Sequence, residues 1–394
     1  MITIHTPAWW RATLALCLGS FLVFINLYVP QPLLPELHRT YGVSTLAVSF
    51  VMSAATLSLA FALVVFGPLS DAIGREGIMR YSLLVAGVGS IVLAFAPSFS
   101  ALLALRLLQG FVLGGLPAVA IAWMADTFDK RALAGAVGLY IAANSLGGIS
   151  GRVVGGLVAD LGGASAAFIA VGVMTLAGTA VFWRLLPRSR TFVAQPFHLK
   201  TAAVDLCQHL RTPVLLGAYL LGGINFMVFI NQYSYITFRL AQAPYSLAAS
   251  SLGLLFLTYL SGTVGSTLSG RLAGRFSPAR CMMAGVALLC VGTAVTRADA
   301  LTLVILGLTV NAFGFFLTHS LASAWVGRNA QRARGSASAL YLVFYYTGAS
   351  LGGFWLEPFW LWDGWAGVTL GSWLLFAVTF AIATWLRRVE RRQP

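Results

Sequence analysis

The chain has 394 residues, of which only 9% are charged, 59% are hydrophobic and 41 are glycine. A soluble protein carries about 25% charged residues, so this one lacks the polar side chains to cover a water-facing surface. Its mean hydropathy of +0.85 predicts an integral membrane protein and excludes a soluble enzyme or binding module.

A membrane-spanning helix takes ~20 mostly apolar residues, which leaves room for about a dozen. Runs such as Leu83–Ala96 and Leu252–Leu260 are apolar on every face, so they read as helices and not as alternating barrel strands. In chain order the first six spans are expected near 10–34, 45–67, 78–96, 100–124, 134–158 and 165–186. The first follows Arg11 and is longer than a signal-peptide core, so it is expected to remain as a span. A polar linker, 187–211, separates these from spans near 213–237, 248–270, 281–296, 301–325, 336–356 and 366–386, followed by a basic tail. The segments 1–186 and 212–394 would thus be two six-helix bundles.

Lys and Arg stay on the cytoplasmic side of a membrane. With both termini cytoplasmic, twenty of the 25 lie on that side; Arg39, Arg239 and Arg297 lie opposite, while Arg106 and Arg152 fall inside spans. The net charge of +14 is therefore spread over alternate loops, which is insertion topology and argues against nucleic acid. The tail Arg387–Arg392 is expected to meet anionic lipid headgroups. The four cysteines sit in or beside apolar runs without metal or disulfide spacing. There is no Gly-x-x-x-x-Gly-Lys loop, His-Glu-x-x-His pair or cysteine–histidine cluster. No enzyme chemistry, metal or cofactor is expected.

The chain repeats at an offset near 203. The end of span 2, Gly67-Pro-Leu-Ser-Asp-Ala-Ile-Gly-Arg, matches the end of span 8, Gly270-Arg-Leu-Ala-Gly-Arg-Phe-Ser-Pro. Spans 5 and 11 both reach a Leu-Gly-Gly, at 146–148 and 351–353. Duplicated six-span halves are a transporter architecture, with the substrate held near the bilayer midplane.

Three motifs then resemble the major facilitator superfamily across the whole chain. Gly67, Leu69, Asp71, Gly74 and Arg75 form its Gly-x-Leu-x-Asp-x-x-Gly-Arg signature between spans 2 and 3, without the usual basic residues at Ala72 and Glu76. Arg106, Gln109 and Gly110 form Arg-x-x-Gln-Gly in span 4. Gly151-Arg152-Val-Val-Gly155-Gly156 is similar to the glycine-rich antiporter motif of span 5, with arginine in place of its proline. Tyr28-Val-Pro-Gln-Pro-Leu-Leu-Pro and His319-Ser-Leu-Ala-Ser-Ala-Trp resemble the YnfM-type branch of twelve-span efflux proteins.

The resemblance implies an all-α fold of twelve transmembrane helices in two pseudo-symmetric bundles, in a bacterial inner membrane. The implied activity is proton-coupled efflux of small organic molecules by alternating access, performed by a monomer. Gly67, Asp71, Gly74, Arg75 and Asp126 would form a cytoplasmic gate: Asp71 would face the N-terminal end of span 11 at Gly335–Ala339, where the helix dipole attracts a carboxylate, and Arg75 would bridge to Asp126. Asn26, Tyr28, Gln31, Gln109, Tyr140, Asn144, Asn225, Asn231, Gln232, Tyr233, Asn311, Tyr341, Tyr345 and Tyr346 would line the cavity. Gly147, Gly151 and Gly155, with Gly110 and Gly114, would allow close helix packing, and span 5 would seal against span 8 near Gly262 and Gly265.

Arginine inside a span costs ~2.5–3.5 kcal/mol, so Arg106 and Arg152 are expected to be functional, as coupling residues. All eleven acidic residues fall outside or at the edges of the spans, which leaves these arginines no carboxylate at mid-membrane and favours a rival reading, uptake or exchange of an anionic solute. Asn26 stands where family antiporters carry an acid. The titratable candidates for coupling are His319 in span 10 and, at the outer mouth, Glu36 and Glu357.

Overall fold

A computed structural model describes residues 2–187, 206–332 and 334–392, with backbone alone for Asp71, Lys130, Ala134 and Arg334. The described residues are almost wholly helical. They group into two compact units: Met1–His198 with Ala248–Leu254, and Leu199–Leu247 with Leu255–Pro394. Most of the expected linker 187–211 lies outside the described residues.

The first unit contains α1 (Pro7–Tyr28), α2 (Leu34–Tyr41), α3 (Thr45–Ile73), α4 (Arg75–Leu93), α5 (Phe99–Leu113), α6 (Gly115–Thr127) and α7 (Lys130–Leu185). Their starts follow from capping chemistry. Thr6, Ser44, Ser98 and Asp129 each accept a backbone N–H of the first turn of α1, α3, α5 and α7. Ile2 and the segment after α6 exchange backbone bonds, Ile2 N to Thr127 O and Asp129 N to Ile2 O. Span 4 is built from α5 and α6, which meet at Gly114.

The second unit contains α8 (Pro213–Ala241), α9 (Tyr259–Phe276), α10 (Pro278–Val295), α11 (Leu301–Asn329) and α12 (Arg334–Glu390). A short helix, Ala249–Leu254, and a 3-10 turn, Leu255–Thr258, lead into α9.

Two helices are too long for one crossing. α7 has 56 residues and α12 has 57, or ~84 Å if straight, against a hydrocarbon core of ~30 Å. Each is folded in two by a glycine: Gly163 has φ 74 in α7, and Gly364 has φ 49 in α12, conformations open to a residue without Cβ. Each therefore supplies two spans, which brings the ten long apolar helices among the described residues to twelve. Large exposed side chains such as Phe61, Val85, Leu107, Leu161, Phe354 and Leu361 form the lipid-facing surface such a bundle requires.

Helices approach closely where a Cβ would not fit. A Cβ at Gly147, Gly151 or Gly155 would strike the α1 backbone at Phe21, Ile25 and Val29, and one at Gly110 or Gly114 would strike α3 at Ala55 and Ala62. The glycine stripe of span 5 thus packs on span 1, and the expected contact of span 5 with span 8 is corrected in its residues, which are not Gly262 and Gly265. Span 5 meets the span 8 segment through Gly156 against Ala249 and through Gly253 against the Arg152 carbonyl, all within the first unit, while Gly262 and Gly265 face Phe316 and Phe313 of α11. In the second unit, Gly223, Gly348 and Gly352 make the α8–α12 seam, and Gly285, Gly292, Gly307 and Gly314 the α10–α11 seam.

Candidate functional site

A buried polar network crosses the first unit. Asn26 on α1 donates to Thr175 Oγ1 at 2.7 Å and accepts from Ser90 on α4, while Gln109 on α5 donates to Ser90 Oγ at 2.6 Å. Arg106 lies over this chain with 0% exposure. Its guanidinium donates to the carbonyls of Asn26 (3.2 Å), Leu27 (2.9 Å) and Val51 (3.0 Å), and to Gln109 Oε1 (2.6 Å). It ties α1, α3 and α5 together.

The second unit repeats the device. Gln232 on α8 donates to Thr293 Oγ1 on α10 at 3.0 Å, and Asn311 on α11 donates to both Gln232 Oε1 (3.1 Å) and Thr293 Oγ1 (3.0 Å). Ser90 and Thr293 are 203 residues apart, the offset of the sequence repeat. Among the described residues no arginine bridges here; Tyr233 from α8 does so, its hydroxyl bonding Thr258 Oγ1 (2.7 Å) and the Leu308 carbonyl (3.1 Å). Asn26, Gln109, Gln232, Asn311 and Tyr233 are all buried and hydrogen-bonded inside one unit. That is a correction to their expected place on a cavity wall: a polar group buried in apolar surroundings needs partners, and here neighbouring helices of the same unit supply them, except to Asn311 Oδ1, which has none among the described residues. Asn231 is likewise engaged, donating to the Met227 and Ala349 carbonyls.

Arg152 forms a separate cluster. It is 1% exposed, sits 3.9 Å over the Tyr28 ring, and donates to Gln31 Oε1 and the Gly148 carbonyl, both at 2.8 Å. Ring quadrupole and carbonyl dipoles share the work of holding this charge in an apolar interior.

The equivalent place in the second unit holds a carboxylate. Aligning the two Leu-Gly-Gly segments puts Arg152 opposite Glu357, and Glu357 is 5% exposed with Tyr235 Oη donating to its Oε2 at 2.6 Å. It lies six residues before the bend at Asp363, or ~9 Å into the helix. The expectation that every acid sits outside the spans or at their edges is therefore corrected at Glu357. The other outer-mouth candidate, Glu36, accepts the Ala164 N–H at 2.8 Å. It caps the second half of α7 just after its bend, where a carboxylate meets the positive end of a helix.

α8, α11 and α12 also build an aromatic wall. The Phe226 and Tyr345 rings stack at 3.6 Å, Phe229 and Phe315 at 4.0 Å, and His319 lies 5.8 Å from Phe315 and 4.7 Å from Tyr345. His319 Nδ1 is 2.9 Å from the Tyr341 hydroxyl. Tyr346 is edge-on to Tyr345. His319 and Tyr345 are the half-buried members; Tyr341, Phe226 and Phe315 are buried behind them. Asn225, one residue before Phe226, is buried with neither amide atom hydrogen-bonded among the described residues. In the first unit, Tyr140 is buried and Asn144 half-buried on α7.

At the α3–α4 turn, Gly74 has φ 95, and Arg75 forms an ion pair with Asp126 while its Nη1 donates to the Ala122 carbonyl. Glu76, where the motif usually carries a base, accepts from Trp123 Nε1 at 2.9 Å. A Cβ on Gly67 would meet open space, so its presence is not explained by packing. The Asp71 side chain is outside what is described.

Chain order alone gave no hint of Ser90, Thr175, Thr293, Tyr235 or Phe226. The signal available for Glu357 was its register with Arg152 in the repeat.

The family model of the Major Facilitator Superfamily matches residues 16–353. The chain is 36% identical over 363 residues to the uncharacterized MFS-type transporter YybF of Bacillus subtilis (strain 168), covering 92% of this chain and 90% of that one. It is 34% identical over 383 residues to the inner membrane transport protein YnfM of Escherichia coli (strain K12), covering 97% and 92%. Among solved structures, the human organic anion transporter MFSD10 (TETRAN) superposes with a TM-score of 0.74 at 18% identity, covering 96% of this chain and all of that one.

Proposed function

Given that the chain belongs to the Major Facilitator Superfamily, we propose that this multi-pass membrane transporter moves small organic molecules, drug or sugar-like, out of the cell in exchange for protons entering down their gradient. Both termini then lie in the cytoplasm, with a monomer as the working unit. The observation that carries proton coupling is Glu357, an acid buried inside a span and hydrogen-bonded by Tyr235. An ionisable side chain is costly at membrane depth and is functional by default. A carboxyl that gains and loses one proton within a transport cycle gives that cost a use. Glu36, held as a helix cap, is the weaker carrier.

The aromatic wall supplies the solute contacts. Half-buried Tyr345 offers a flat apolar face, backed by the buried rings of Phe226 and Phe315, and half-buried His319 adds polar ring atoms beside it. Such a surface suits planar, largely apolar compounds. Arg75 with Asp126, and Asp71 by family resemblance, belong to the cytoplasmic gate. Arg106 leaves the anion reading, because it is fully buried and each of its three guanidinium nitrogens already donates to a protein acceptor inside the first unit; of the two arginines, Arg152 is the one left to serve an anionic solute.

The test uses inverted membrane vesicles with ethidium and a neutral aromatic dye under imposed proton gradients. Dye movement driven by an acid interior, abolished in Glu357→Gln, is the expected result. Gradient-independent flux in the wild type overturns proton coupling. Movement of an organic anion in exchange for another, lost in Arg152→Gln, replaces the proposal with anion exchange.

A further inference from the structure

The second unit carries a cavity of about 370 Å³ lined by Arg275, Phe276, Ser277, Arg280, Arg387, Glu390 and Arg391. Its walls are the end of α9, the first turn of α10 and the end of α12. Four guanidinium groups thus converge on one concavity with a single carboxylate, Glu390, to offset them.

Retention of positive charge on the cytoplasmic side accounts for arginines on this face but not for their convergence. That rule is satisfied by dispersed charge, and the first unit shows the dispersed version: at the repeat offset Arg275 and Arg280 correspond to Ala72 and Gly77. The basic residue that the signature loop lacks at Ala72 is present in the second copy. Convergence has an electrostatic cost. Arg391, and also Arg280, pull the Arg387 pKa below its ordinary value, with Glu390 opposing. Arg387 Nε has no hydrogen-bond partner among the described residues. The first N–H groups of α10, which starts at Pro278, have no acceptor within their own helix and add the positive end of its dipole.

We propose that this cavity is an anion site that binds a phosphate group, matched to the phosphodiester of an acidic membrane lipid. Arginine's planar fork suits two phosphate oxygens at once. Phe276 at the rim gives acyl chains or glycerol an apolar contact, and the cavity lies at the headgroup level of the face that the arginine distribution assigns to the cytoplasm. A bound phosphate would cross-link α9, α10 and α12 and relieve the repulsion among the four arginines. A free phosphate ion shares this chemistry, and the test separates the two.

Thermal unfolding of the full-length protein in neutral detergent is titrated with phosphatidylglycerol, cardiolipin, phosphatidylcholine and inorganic phosphate. The expected result is stabilisation by phosphatidylglycerol and cardiolipin at low concentration and none by phosphatidylcholine. The double variant Arg275→Gln/Arg391→Gln should need roughly thirty-fold more acidic lipid for the same effect. Arg328→Gln/Arg332→Gln, equal in charge and away from the cavity, should titrate like the wild type. Stabilisation by inorganic phosphate alone, lost in the cavity variant, keeps the site and assigns it a soluble ion. Equal losses in both double variants, or no response of the wild type to any phosphate, overturns the proposal. Where the cavity variant is too unstable to melt cleanly, the same titration with Arg391→Gln alone decides it.

Discussion

Arg106 and Arg152 look alike in sequence and differ in kind once their partners are known. Arg106 spends its donors on three carbonyls and Gln109, so its role is to fasten three helices. Arg106→Gln would leave the buried Asn26 and Leu27 carbonyls in the last turn of α1 without their donor, at about 1–3 kcal/mol for each group. We expect a large fall in melting temperature in detergent with ligand preference unchanged among the surviving protein; a wild-type melting curve would show the carbonyls find other donors. His319, by contrast, is half-buried against Tyr341 and Tyr345. His319→Phe should keep the stack and the fold while changing which dyes compete for binding, measured as competition against ethidium.

Among the elements, backbone conformation preserves the repeat better than residue identity does. Gly74, between α3 and α4, has φ 95 and ψ 151; Ser277, between α9 and α10 and 203 residues later, has φ 81 and ψ 145. The turn is the same, but the second copy places a Cβ in a region that only glycine occupies without strain. Ser277→Gly should therefore raise stability by about 1 kcal/mol, read as a higher midpoint of thermal unfolding; a lower midpoint would mean that the serine side chain holds the turn. The glycine seams give the opposite sign. Gly151→Leu drives a side chain into the α1 backbone at Ile25, whereas Gly138→Leu enters open space. The first should abolish accumulation of folded protein, and the second should leave the size-exclusion profile unaltered.

The whole molecule is two bundles with separate polar interiors of one design, Asn26–Ser90–Gln109 and Gln232–Thr293–Asn311. Neighbours in one network should couple and members of different networks should not. In double-mutant cycles, Asn26→Ala with Ser90→Ala should show an interaction of about 1 kcal/mol, and Ser90→Ala with Asn311→Ala should be additive within ~0.5 kcal/mol. Strong coupling of the second pair would mean that the two interiors unfold as one. The membrane class, the number of spans and the duplicated plan were legible from composition, apolar run length and the repeat, because these depend on how much surface can be hydrated and how far a helix reaches. The motif residues were legible as a set. What composition and spacing could not supply was the facing of side chains. Amides at helical spacing read as cavity lining until the packing gave Asn26 and Gln109 a shared partner in Ser90, and Gln232 and Asn311 a shared partner in Thr293, each pair inside its own unit. Glu357 read as an edge residue because α12 runs on to Asp363 before bending, which draws the acid inside. Tertiary structure decided these points for one physical reason: burial of a polar or charged group depends on what the neighbouring helix offers it, and that neighbour lies tens to hundreds of residues away in the chain.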